Sequence, residues 1–167
     1  MSTLKFFTVT LAIAILTACS VAPQTPPTMT PIPAPTATPA PITFLAANRD
    51  KWEAQNITHY RFELHVSCFC AFRDQMPLTI EVQDGKVVSM VDSKGQSVTD
   101  MAELFETYNT IEKLFAKLDA ALNGEADSTT VEYDSAKGYP TTIYIDYLQE
   151  AADDEIGFTV SNLTVLE

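Results

Sequence analysis

The chain has 167 residues, with 10 lysines and arginines against 22 aspartates and glutamates and a formal charge of −12. That balance excludes a basic groove for nucleic acid or another polyanion. Eight of the ten prolines (Pro23, Pro26, Pro27, Pro31, Pro33, Pro35, Pro39 and Pro41) fall in one stretch, so the 125 residues from 43 onward must supply the core, enough for one domain.

The N-terminus carries one charge, Lys5, then an apolar run from Phe6 to Leu16, then small residues. The run is about half the roughly 20 residues needed to cross a bilayer, so residues 1–18 are expected to be a cleaved secretory signal. Leu16-Thr17-Ala18-Cys19 resembles the bacterial lipobox, which implies that Cys19 becomes the lipidated first residue and anchors the protein to the membrane. Removing 18 residues removes Lys5 and no acid, leaving nine basic and 22 acidic side chains, a charge of −13. From 19 to 42 the chain is rich in Pro and Thr and has no charged side chain, a composition that cannot bury a core and favours an extended polyproline spacer. The expected location is exported: a membrane-anchored lipoprotein facing the periplasm or the cell exterior.

The domain, residues 43–167, reads as two blocks, each a helix followed by strands. Residues 44–56, with Trp52, form the first predicted helix. Over 59–70 the even positions Tyr60, Phe62, Leu64, Val66, Cys68 and Cys70 are apolar and Arg61, Glu63, His65 and Ser67 alternate with them, the period of a half-buried strand. Leu78–Gln83 and Lys86–Asp92 flank Asp84-Gly85, a hairpin signal because the favoured turn needs positive φ at both central residues. After a short helical piece at 101–106, Ile111, Leu114, Phe115, Leu118 and Leu122 share one face of a helix that Thr110 can cap and Gly124 can end. Strands are predicted at 129–134, 141–147 and 155–165. The expected fold is α+β: an antiparallel sheet of about six strands with two helices packed on one face, in the order helix, three strands, helix, three strands.

Trp52, Tyr60-x-Phe62, Cys68-Phe69-Cys70, Val82-x-Asp84-Gly85, Thr110-Ile111-Glu112-x-Leu114-Phe115, Gly138-Tyr139-Pro140-x-x-Ile143-x-Ile145-Asp146 and Asp153-Asp154-Glu155 form an ordered set. Together they resemble a bacterial lipoprotein family, domain-of-unknown-function family 6174, over residues 48–165. The resemblance implies the domain boundary and an envelope location, and it imports no activity.

Cys68 and Cys70 share the inward face of their strand, and an exported protein meets oxidising conditions, so the pair is read as a structural disulfide or as two buried thiols. A regular strand would hold their Cα atoms near 7 Å apart, so the bond requires a bend. The alternative role is a thiol-redox pair. His59 and His65 have the opposite parity and do not converge with the cysteines on a zinc site. Residues 19–99 hold six basic and seven acidic side chains, whereas 100–167 hold three and 15, and Asp146, Glu150, Asp153, Asp154 and Glu155 crowd the last connection. Hard oxygen ligands on a loop are what calcium takes, so calcium is the cofactor to test, against the alternative of a solvated acidic turn; no other cofactor is expected. Tyr108, Tyr139, Tyr144 and Tyr147 lie near these acids, and Tyr139, Tyr144 and Tyr147 are candidates for a partner-facing aromatic surface. No nucleophile elbow, phosphate loop, dinucleotide fingerprint or zincin pattern occurs, so no catalytic residue is assigned and no enzymatic activity is expected. The expected function is a non-enzymatic binding module with an acidic surface, displayed to an envelope protein or a cell-wall component.

Overall fold

The computed structural model describes residues 41–167, Thr99 by its backbone alone. The expected signal peptide, Cys19 and the linker as far as residue 40 lie outside the described residues. Among the described residues there are three α-helices, α1 (Pro41–Glu53), α2 (Ala102–Phe105) and α3 (Ile111–Ala120). Six strands, β1 (His59–Ser67), β2 (Leu78–Gln83), β3 (Lys86–Val91), β4 (Ser128–Tyr133), β5 (Pro140–Asp146) and β6 (Ile156–Val165), form one sheet in the order β3-β2-β1-β6-β5-β4. Every neighbouring pair is antiparallel. The chain therefore builds two three-stranded meanders and joins them through β1 and β6. This is the α+β architecture expected from the sequence, with α2 as the short helical piece expected at 101–106.

The period of two in the strands decides which face is buried. Tyr60, Phe62 and Leu64 sit opposite Val82, Ile80 and Leu78 on one side, and Leu64 and Val66 sit opposite Val160 and Phe158 on the other. All nine are buried, together with Ile143 opposite Phe158. Each such side chain contributes about 1.5–3 kcal/mol of burial. The other face is polar: Arg61, Glu63 and His65 are paired with Glu81, Thr79, Ser161 and Thr159. His59 and Arg61 both reach Glu81, at 3.0 and 3.7 Å, contacts that contribute little at a surface.

Helix α1 begins three residues before the predicted start, because Pro41 has the fixed φ that suits a first helical position even though its ring also belongs to the Pro-rich pattern. Asn56, at φ +52, turns the chain out of it. In α3 Thr110 is the N-cap, its hydroxyl accepting from Lys113 N at 3.3 Å, and Ile111, Leu114, Phe115 and Leu118 are buried. The helix then loosens into a single wide turn, Ala121–Glu125, which Gly124 leaves at φ +106.

The two outer strands differ. At β3 the chain folds back: Val98 N donates to Met90 O at 3.2 Å, Asp92 N to Gln96 O at 2.8 Å, and Val91 bridges to Ser97. The buried Asp92 fixes this return, its Oδ1 accepting from Lys94 N and Gln96 N, both at 2.8 Å. At β4, among the described residues, no strand or bridge pairs with the outer edge.

Candidate functional site

Thr129, Val131 and Tyr133 of β4 lie opposite Ile145, Ile143 and Pro140 of β5, so they point to the helix side of the sheet. Above them α1 lays Pro41, Phe44 and Asn48, and the space enclosed is a groove of about 590 Å³. The helix runs in the same direction as the strand: Lys51 Nζ reaches Ser135 O just beyond β4, and Gln55 Nε2 donates to Lys137 O at 2.8 Å. Gly138 makes this approach possible. Its φ is +84, and a Cβ there would stand 2.5 Å from Asn48 O, so neither the conformation nor the space admits a side chain.

Phe44 is 47 % exposed on the groove wall, a large apolar ring with little beneath it. The carboxylates at the groove are Glu132 and Asp134, and no lysine or arginine lines it. Asp134 is also the turn residue before β5, its Oδ1 accepting from Ala136 N at 3.0 Å and Lys137 N at 2.6 Å. Tyr133 stacks on Phe115 with ring centroids 6.4 Å apart. Its hydroxyl is buried with no hydrogen-bond partner among the described residues. Burial pushes the Tyr133 hydroxyl pKa up to about 12, with the Arg49 charge pulling the other way.

What holds α1 in place is a part-buried polar node. Trp52 Nε1 donates to Glu112 Oε1 at 3.0 Å, Tyr60 Oη donates to Glu112 Oε2 at 2.9 Å, and Ile111 N donates to Tyr60 Oη at 3.1 Å. One carboxylate at the start of α3 thus ties α1 to the central strand. Burial, and after it the Glu112 charge, raises the Tyr60 hydroxyl well above its ordinary range, so it remains a donor. Trp52 also meets Tyr60 and Tyr139 edge to face, at 5.4 and 5.9 Å. Arg49, beside this node, donates to Phe115 O at 3.1 Å and lies 3.8 Å from Asp119.

The residues singled out from sequence are scattered over other parts of the molecule. Cys68 and Cys70 are bonded to each other with Cα atoms 5.2 Å apart, so β1 ends at Ser67 and not at residue 70. The pinch turns Phe69 outward, where it is 77 % exposed. His59 and His65 lie on the polar sheet face, away from the cysteines. The acids expected to cradle calcium are not assembled: among the described residues no three His, Cys, Asp or Glu side chains form a group that could hold a metal ion, Asp146, Glu150, Asp153, Asp154 and Glu155 included. The connection is a turn followed by bends, with Ala151 N donating to Leu148 O at 2.8 Å, and both Asp154 oxygens are buried without a partner among the described residues. Tyr144 is exposed, and partial desolvation followed by Glu155, Asp146 and Asp154 raises its hydroxyl. Tyr139 and Tyr108 are buried in the aromatic core, and Tyr147 is half-buried with Lys117 over its ring. Of the expected aromatic surface, Tyr139 must be withdrawn, since its ring packs on Trp52.

The residues that do converge, Phe44, Val131, Glu132 and Tyr133 at the groove and Glu112 beneath α1, were not singled out as a site. Glu112 belonged to an ordered set of residues, but its partners are 52 and 60 positions away, a pairing that periodicity does not carry. Among the described residues no helix is long and apolar enough to cross a membrane. Residues 44–165 match a family of unknown function (DUF6174). No curated protein and no solved structure matches the chain.

Proposed function

Because the chain belongs to the family of unknown function DUF6174, we propose its role from its own surfaces: a lipid-anchored envelope protein whose domain binds a partner and carries out no chemistry. The observation that supports this most is the groove between α1 and β4, an apolar recess bounded by an exposed Phe44, two carboxylates and a strand edge that is unpaired among the described residues. Concave apolar surface with a few polar groups is the usual form of a recognition site. The lipobox-like Leu16-Thr17-Ala18-Cys19 and the uncharged Pro/Thr stretch support the anchor and the spacer. The test has two arms. Cys19→Ala should abolish incorporation of radiolabelled palmitate and release the chain from the membrane fraction. Crosslinking in cells at native expression should give one reproducible adduct; its repeated absence would remove the binding reading.

A second reading has its own support, the Cys68–Cys70 disulfide beside the exposed Phe69. In a redox cycle the disulfide would accept two electrons and two protons from a dithiol protein, giving two thiols here and a disulfide there. A Cys68→Ser, Cys70→Ser double variant that leaves the thiol state of envelope proteins unchanged would eliminate it.

A further inference from the structure

We propose that the outer edge of β4 receives a basic, extended polypeptide segment as a seventh strand, with its apolar side chains lodged under Phe44. The inference rests on the reading of the chain as a binding module and specifies where and what it binds. Three observations lead to it.

The first is the edge itself. Ser128–Tyr133 presents outward N–H and C=O groups with no partner among the described residues, and it carries no proline and no lysine. Those are two of the devices by which edges are made unreceptive, and the strand's one register irregularity falls at its end, between Glu132 and Tyr133. The opposite edge is closed by the return of residues 92–98.

The second is the overhang of α1. A strand added to β4 would lie about 4.8 Å beyond it, with alternate side chains pointing to the helix side. Thr129, Val131 and Tyr133 already point that way, and Phe44 lines the same recess beside the open edge. The exposed ring is therefore available to cover an incoming apolar side chain, and Tyr133 lines the same recess. Main-chain pairing supplies affinity in this mode and the side-chain recess supplies selectivity.

The third is charge. Glu132, which alternates to the opposite face of the strand, and Asp134 flank this edge with no base among the residues at the recess, and the whole chain carries −12. A second copy would bring the same two acids against themselves, which is unfavourable across an edge. A lysine- or arginine-bearing strand meets them with opposite sign.

The probe is a fluorescein-labelled octapeptide of alternating lysine and valine, titrated into the purified full chain and followed by anisotropy. Phe44→Ala should weaken binding about fivefold, and Glu132→Lys with Asp134→Lys at least about tenfold. The same charge change at α2 beside Lys86 and Val87 of β3, Glu103→Lys with Glu106→Lys, should alter it less than about twofold. A version methylated on every backbone nitrogen should not bind. Equal loss in the Glu103→Lys, Glu106→Lys variant, or undiminished binding of the methylated peptide, would overturn the proposal by reducing it to bulk charge. A dimer of the full chain that Phe44→Ala dissociates would also overturn it, since the edge would then belong to a second copy. In cells, a photoreactive residue at position 130 should give an adduct that one at position 103 does not. An adduct at 103 alone sinks the edge inference and leaves the binding-module reading intact, whereas none at any surface position sinks both.

Discussion

At β3 the chain spends seven residues, 92–98, folding back on its own strand, and it buries an aspartate to fix the return. At β4, among the described residues, nothing does the equivalent work, and a helix is held above the strand with an aromatic ring facing outward. Both strands end the same sheet and both carry a register irregularity, between Glu81 and Val82 beside β3 and between Glu132 and Tyr133 in β4. The difference therefore does not come from the sheet. It comes from where each edge lies relative to the elements that follow or overhang it, and it teaches that an edge left unpaired beside a preformed recess is a feature to be tested for binding.

The contrast breaks most completely if α1 is released. Trp52→Ala removes a buried indole and the Nε1 donor to Glu112, and should cost about 3–5 kcal/mol in urea unfolding while the strand-probe affinity falls with it. Asp92→Ala attacks the other edge. It leaves two backbone donors without an acceptor, so stability should drop by about 1–3 kcal/mol, and exchange of the Val98 amide should accelerate more than that of any amide in β4.

A smaller effect separates the edges by pH. The Tyr133 hydroxyl is raised from 10.0 to about 12 by burial, so the folded state holds its proton where the unfolded state has released it. That contribution is complete below pH 10, the unfolded value, and is lost as pH rises towards about 12. Tyr133→Phe should remove part of the alkaline fall in melting temperature and also one orphaned hydroxyl, leaving stability at pH 7 unchanged or slightly higher. Tyr108, raised to about 12 by the same cause but packed on Phe105 and Phe158, should keep its own share of the alkaline transition in that variant. Absorbance at the tyrosinate band reads both. The least perturbing comparison needs no substitution: by hydrogen exchange, Asp92 and Val98 should be protected at the closed edge, and alternate amides of β4 should exchange at close to the free rate.

The parts of the fold that depend on neighbours in sequence could be read in advance. The Asp84-Gly85 turn, the Thr110 cap and the apolar period of β1 each declare themselves within a dozen residues, and each lies where expected, with Asp84 and Gly85 at φ +49 and +73. The start of α1 misled because Pro41 serves equally as a spacer residue and as a first helical residue. The end of β1 misled because a bond between residues two apart shortens the chain locally and overrides the strand period. The groove was invisible for a different reason. It exists only because β5, not β4, pairs with β6, which leaves β4 outermost and beneath α1, and no composition or spacing encodes strand order. The acidic loop shows the converse: five carboxylates close in sequence are not thereby close in space.

The pairing of β1 with β6 sets a timetable for the chain. Tyr60 lies opposite Val165, so the two central strands of the sheet come from opposite ends of the domain. As the polypeptide emerges N-terminus first, the β1–β3 meander can form early, but one side of β1 has no partner until the last residues are released. During that interval the molecule displays a long apolar strand with an open flank, the hallmark of an aggregation-prone intermediate. Loss of β6 would prolong that interval indefinitely, for the β1–β3 meander and the β4–β5 hairpin would remain with nothing to join them.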